Sequence, residues 1–219
     1  MIDAGQVCHH ITGAKGWKPS HGVRDRPGNQ TLPAPDPKDL GPLAALIGTW
    51  EGTEGVDVSF HNDKDAVAET LYTEKVTMNP FGPVVNGEQS VYGLDYRMAA
   101  YKDGEDEPFH TEIGYWLWDA ADQQVMRCFL VPRSTMVLAG GTCAADATSF
   151  KMTAERGSLT HGLLESVYFS QNASTSSYTV DITVHDENSW SYDQTTAVDL
   201  RKHESGFAHT DRNTLRRVS

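Results

Sequence analysis

From Thr49 to Val218 the chain runs almost throughout in period two, and this constrains its fold more than any other feature. The cleanest stretch is Ser177-Tyr178-Thr179-Val180-Asp181-Ile182-Thr183-Val184, polar at odd positions and apolar at even ones. Side chains alternate across a strand, so this pattern marks a strand with one dry face. Similar segments span 49–60, 67–78, 88–100, 108–118, 124–131, 135–140, 148–154, 163–169, 190–200 and 207–218. Short polar links join them, among them Asn62-Asp63-Lys64-Asp65, Lys102-Asp103-Gly104-Glu105 and Asp186-Glu187-Asn188. About ten sequential strands with hairpin-length links predict an all-β antiparallel meander, and closure into a single barrel removes its unpaired edges. A barrel of that size has room for one small ligand. A two-sheet sandwich satisfies the same pattern.

One segment carries more chemistry than a packing strand needs. In Phe109-His110-Thr111-Glu112-Ile113-Gly114-Tyr115-Trp116-Leu117-Trp118, one face bears His110, Glu112, Gly114, Trp116 and Trp118. The other bears Thr111, Ile113, Tyr115 and Leu117. The turn Asp119-Ala120-Ala121-Asp122 leads into the next strand at Val125. A buried carboxylate needs partners, and Arg97 and Arg127 are the candidates for Glu112.

Before the strands, residues 1–35 show no regular period and carry Gly5, Gly13, Gly16, Gly22, Gly28, Pro19, Pro27, Pro33 and Pro35. They read as an irregular N-terminal arm, with a barrel domain over 36–219. Asp36-Pro37 reads as an N-cap followed by a first-turn proline. Leu40, Leu43, Ala44, Leu46 and Ile47 then make a short apolar helix, stopped by Gly48.

Charge and cysteine usage narrow the partners. A net charge of −12 disfavours nucleic acid and an anionic membrane. No apolar run approaches the ~18 residues of a membrane span. Cys8, Cys128 and Cys143 form no C-x-x-C pair, which suits reduced thiols and a cytoplasmic home. Cys8-His9-His10 fixes no metal geometry. There is no G-x-S-x-G elbow, no P-loop and no G-x-G-x-x-G after a strand.

Three places together resemble the nitrobindin-like haem-binding β-barrels, whose architecture is of the lipocalin and fatty-acid-binding-protein type. Leu46-Ile47-Gly48-Thr49-Trp50-Glu51-Gly52, followed by Gly55, is similar to that family's opening Gly-x-Trp-x-Gly. His110-Thr111-Glu112-Ile113-Gly114-Tyr115 is similar to its His-x-Glu-x-Gly-Tyr element. His209-Thr210-Asp211-Arg212-Asn213-Thr214-Leu215-Arg216-Arg217-Val218 looks like its His-bearing last strand. The resemblance covers roughly residues 40–218 and implies a b-type haem, with His209 as the iron ligand and His110 and Trp116 beside the cofactor. It further implies handling of NO or peroxynitrite, including isomerisation of peroxynitrite to nitrate. Two positions depart from the family's pattern. Aligned on the closing Leu-Arg-Arg-Val, the ligand position falls on Thr210, so His209 would need a bulge near Asp211 to face inward. At Pro132-Arg133-Ser134 the pattern has a glycine.

Each residue also has a plainer role. A His near a strand end can cap or hydrogen-bond, and Trp50, Trp116, Trp118 and Trp190 can fill a core for area alone. Met78, Met98, Met126 and Met136 are better gap-fillers than ligands. A haem-free carrier or sensor of an apolar or amphipathic molecule therefore stands beside the haem reading, with Arg97, Arg127 or Arg133 meeting a ligand carboxylate. A third reading is an interaction module whose arm covers the barrel mouth or a neighbouring subunit, as in a homodimer.

Overall fold

A computed structural model describes residues 34–61, 64–201 and 206–218. The expected arm over 1–35 lies outside these residues except for its last two. Eleven strands follow an N-terminal 3-10 helix at Pro37–Leu46. They are β1 (Gly48–His61), β2 (Ala66–Asn86), β3 (Gln89–Lys102), β4 (His110–Asp119), β5 (Gln124–Val131) and β6 (Thr135–Thr142). Then come β7 (Ser149–Glu155), β8 (Leu163–Glu165), β9 (Ala173–Asp186), β10 (Ser189–Leu200) and β11 (Phe207–Arg217). The antiparallel order is β5-β4-β3-β2-β1-β11-β10-β9-β7-β6, and a β5–β6 pairing closes the ring into a ten-stranded barrel. Strand β8 is the extra one, paired to β6.

The segment 163–169, read above as one strand, is a strand of three residues followed by helix α1 (Val167–Asn172). Ser166 is the reason: its hydroxyl accepts from the backbone N–H of Phe169 and caps the helix. The helix before β1 starts as expected, with the Asp36 side chain accepting from Lys38 N. It winds as a 3-10 helix broken at Gly41, where φ is +53° and a Cβ would meet the Trp118 ring at 2.5 Å. Only glycine lets the helix lie that close to the indole.

This helix seals one end of the barrel. Leu40, Leu43 and Leu46 are fully buried, and the Trp50 indole N–H donates to Leu46 O at 2.8 Å. Trp50, Trp116, Trp118 and Trp190 are at most 2% exposed and form this floor with Met78, Leu94, Val125 and Leu215. Antiparallel pairing puts the starts of β4 and β11 at the opposite end. That end carries both His110 and His209.

Register explains which way the polar groups face. In β11 the inward residues are His209, Asp211, Asn213 and Leu215. In β1 an extra residue enters at Thr53-Glu54: the pairing with β2 shifts between Gly52 and Gly55, and that with β11 shifts over the same stretch. The bulge turns Asp57 and Ser59 inward, where simple alternation from Trp50 would put them outside.

Candidate functional site

Above the apolar floor, side chains from seven strands make a continuous hydrogen-bonded belt across the barrel. Glu112 is 2% exposed and pairs with Arg127 Nη2 at 2.5 Å. The Tyr96 hydroxyl donates to the same Glu112 oxygen at 2.8 Å, and Arg127 donates to Tyr96 at 3.0 Å and to Tyr178 at 2.5 Å. Arg127 Nη1 also reaches Gln194 Oε1 at 3.2 Å, and Gln194 Nε2 donates to Asp211 at 3.0 Å. The Tyr72 hydroxyl bonds Asp211 and lies 2.7 Å from the Tyr192 hydroxyl. Tyr192 donates to Glu74 at 2.9 Å, and Asn213 Nδ2 donates to the same oxygen at 3.0 Å. Of the two arginines proposed for Glu112, Arg127 is the partner; Arg97 faces out.

The belt sorts its carboxyls by environment. Burial would raise Glu112, but Arg127, His110 and Tyr96 outweigh it and hold its pKa down at about 2. Glu74 lacks such a cation; burial and the nearby Asp211 push it up to about 7. Burial likewise lifts Asp211 to about 6, although the Tyr72 hydrogen bond works against it. The interior therefore holds one firmly ionised carboxylate on an arginine and two acids that titrate near neutrality.

Past the belt, at the end away from the 3-10 helix, lie the two histidines. His209 faces inward without any bulge in its own strand, contrary to the expectation that one near Asp211 is required. The bulge in β1 brings Asp57 to His209: Nε2 lies 2.5 Å from Asp57 Oδ2. Ser59 Oγ donates to the other Asp57 oxygen at 2.6 Å. Burial raises the Asp57 pKa, but His209 and Ser59 outweigh it and keep the carboxyl below its ordinary value. The His209 side chain is 35% exposed while that of Asp57 is 12% exposed, so the imidazole reaches outward from a buried anchor. On β4, His110 Nε2 lies 3.2 Å from Glu112 Oε1, with 30% of its side chain exposed. Burial lowers the His110 pKa, but Glu112 raises it further, for a net increase.

His209 and His110 thus share one end, whereas Trp116 lies about 20 Å along β4 from His110, 1% exposed, in the floor between Tyr96 and Trp190. Asp57, Tyr72, Glu74, Tyr192, Gln194, Asp211 and Asn213 escaped the sequence reading. The available signal was spacing by two, in Tyr72/Glu74 and in His209/Asp211/Asn213. Among the described residues no group of three His, Cys, Asp or Glu is arranged to hold a metal ion by itself. Nor is any described helix long and apolar enough to cross a membrane. Two hollows lie outside the interior: about 610 Å³ lined by Phe81, Val84, Val91, Asp95, Tyr115 and Leu117, and about 390 Å³ beside Leu130, Met136 and Leu164.

Comparison with known proteins agrees with this architecture. The family model described as "THAP4-like, heme-binding beta-barrel domain" matches residues 39–217. A peroxynitrite isomerase of Clavibacter michiganensis subsp. michiganensis is 31% identical over 87 residues, a stretch covering 39% of this chain and 38% of that protein. The crystal structure of Rv2717c from M. tuberculosis superposes with a TM-score of 0.56 over 83% of this chain and 98% of that one, at 14% identity, which speaks for the fold alone.

Proposed function

The chain belongs to the THAP4-like, heme-binding beta-barrel domain family, and on that premise we propose that the His209 end of the barrel binds a b-type haem with His209 as its iron ligand. The observation that carries this reading is the placement of His209. It faces inward at the end of the barrel away from the 3-10 helix and is partly exposed, with a buried carboxylate beside it. Imidazole is an established ligand of haem iron, and iron would take Nε2 in place of the Asp57 contact. The floor and belt fill the interior with side chains, so a porphyrin has to lie toward the His end.

Haem held by one protein imidazole would supply an iron coordination site for NO or peroxynitrite. Isomerisation of peroxynitrite to nitrate is then the reaction to assay, in keeping with the name of the 31%-identical relative. This chain's residues contribute binding and polarity: Asp57 and Ser59 make the surroundings of His209 polar, while His110, tied to Glu112 and Arg127, offers a second imidazole at the same end. Trp116 contributes to the floor and supports this end only indirectly.

The test is a haem titration followed by absorption near the Soret band. Wild type saturates at one haem per chain; His209→Ala loses binding and keeps its fold; His110→Ala weakens it less. Equal binding by wild type and His209→Ala removes the assignment. A second reading draws on the same contact: Asp57 already engages His209 Nε2, which suits a haem-free binder whose ligand meets the His–Asp pair. That reading predicts no Soret change.

A further inference from the structure

We infer that the outer wall formed by β4, β5, β6 and β8 is the surface on which a second copy of this chain packs, about a two-fold axis. Its side chains point away from the interior, so the pairing does not depend on haem. Register lines up apolar residues across the four strands. Ile113 on β4 pairs with Leu130 on β5, Leu130 with Met136 on β6, and Met136 with Leu164 on β8. One step along, Tyr115, Cys128 and Leu138 stand side by side, and Leu117 faces Met126 beyond them. The outward side chains within 111–117 on β4, 124–130 on β5 and 136–140 on β6 carry no charge. Elsewhere on the barrel, outward positions hold Lys151 and Glu155 on β7, Asp181 on β9, Asp193 on β10, and Arg212 and Arg216 on β11.

The wall is large enough to matter. Ile113, Tyr115, Leu130, Met136 and Leu164 are between 39% and 68% exposed, and Val84 beside Tyr115 and Leu117 is 55% exposed. Together these six present on the order of 600 Å² of apolar side chain, the upper end of what a monomer carries in one patch. Half-buried neighbours and a polar rim bring this close to the about 800 Å² that each partner buries in a standard interface. The hollows of about 610 Å³ at Tyr115 and Leu117 and about 390 Å³ at Leu130, Met136 and Leu164 lie on this same wall. They give it relief into which projecting side chains of a partner can seat.

Charge selects the occupant. The chain carries a net −12, so copies that meet through carboxylate-bearing walls repel one another. On this wall no like charges meet. A basic partner would be drawn to the acidic surface elsewhere and gain nothing from an uncharged wall. In a two-fold interface one patch meets itself, which requires self-complementarity. An uncharged apolar patch has it. Charges begin only at the rim, where Asp95 and Arg97 on β3 stand beside Tyr115 and Ile113 and supply one of each sign.

The experiment is sedimentation of the full chain over micromolar concentrations, haem-free and haem-loaded. We expect a species of twice the chain mass in both. Ile113→Lys with Leu130→Lys, and separately Ile113→Glu with Leu130→Glu, should each weaken association roughly 100-fold, because like charges then face across the interface. Mixing the two double variants should restore the dimer, which misfolded chains would not do. Thr179→Lys, outward on β9, should leave it intact. A second readout needs no variant: alkylation of Cys128, in the middle of the wall, should slow as concentration rises, while that of Cys143, beyond the end of β6, should not. A wild type that stays monomeric overturns the proposal, and one that instead floats with phosphatidylcholine vesicles assigns the wall to lipid and overturns it too. So does a dimer that survives both double variants, is lost equally in Thr179→Lys, or leaves the alkylation of Cys128 unchanged.

Discussion

Replacing Glu74 with Gln should stabilise the protein at pH 8 and destabilise it by about 1 kcal/mol at pH 4.5. Glu74 is 2% exposed, and its carboxyl titrates at about 7 because burial and Asp211 both oppose its ionisation. In the unfolded chain the same group titrates at its ordinary 4.5. Between those values the folded state holds a proton that the unfolded state has released, so stability falls as pH rises through this window. The contribution is full below about 4.5, and it is gone above about 7. A rise from 4.5 to about 7 corresponds to about 3 kcal/mol. Gln keeps an oxygen for Tyr192 and Asn213, both of which donate to a single Glu74 oxygen. Its NH₂ replaces the second oxygen and has to find an acceptor there, which offsets about 1 kcal/mol. The net gain is about 2 kcal/mol at pH 8, or roughly 4–8 °C in Tm for a domain of this size. Urea unfolding of both proteins at half-unit steps from pH 4.5 to 8 gives the difference directly, and titrations of groups remote from Glu74 cancel in it. A difference that does not change with pH would refute the reasoning.

Other parts of the belt and wall give equally specific expectations. Glu112→Gln leaves Arg127 charged and uncompensated in the interior, so urea unfolding should show a loss of about 3–5 kcal/mol; a loss under about 1 kcal/mol would contradict a buried ion pair. Gly114→Ala would drive a Cβ into the Cys128 carbonyl and to within 2.7 Å of the Phe129 Cα. The β4–β5 hairpin should not tolerate it, and circular dichroism should show loss of the native sheet signal. Ser134→Gly relieves a residue held at φ +64° and should raise stability by about 0.5–1 kcal/mol, read from the thermal midpoint.

Much of the wall was legible because it depends on local pattern. Alternation located the strands, and on β4 it correctly put His110, Glu112, Trp116 and Trp118 on the inner face. The glycine after Glu112 proved to be a place where the neighbouring β5 backbone leaves no room for a side chain. The glycine that the family pattern has near Ser134 has its counterpart in that residue's positive φ. The polar belt was not legible, because its members meet only on closure: Tyr72 with Tyr192, Glu74 with Asn213, and Asp57 with His209 are 120, 139 and 152 residues apart. Asp57 was hidden twice over, since counting by two from Trp50 sends it outward and only the bulge at Thr53-Glu54 brings it in. The offset at Thr210 calls for no bulge in β11: the strand runs regularly, and His209 shares the inner face with Asp211, Asn213 and Leu215. Helix α1 was missed because a serine cap after an apolar pair is a weak local signal beside strand-like periodicity.

The most direct measurement is a crystal structure of the protein loaded with haem. It should show one porphyrin at the barrel end away from the 3-10 helix, with the iron bonded to His209. A porphyrin bound elsewhere, or iron without a bond to His209, would contradict it.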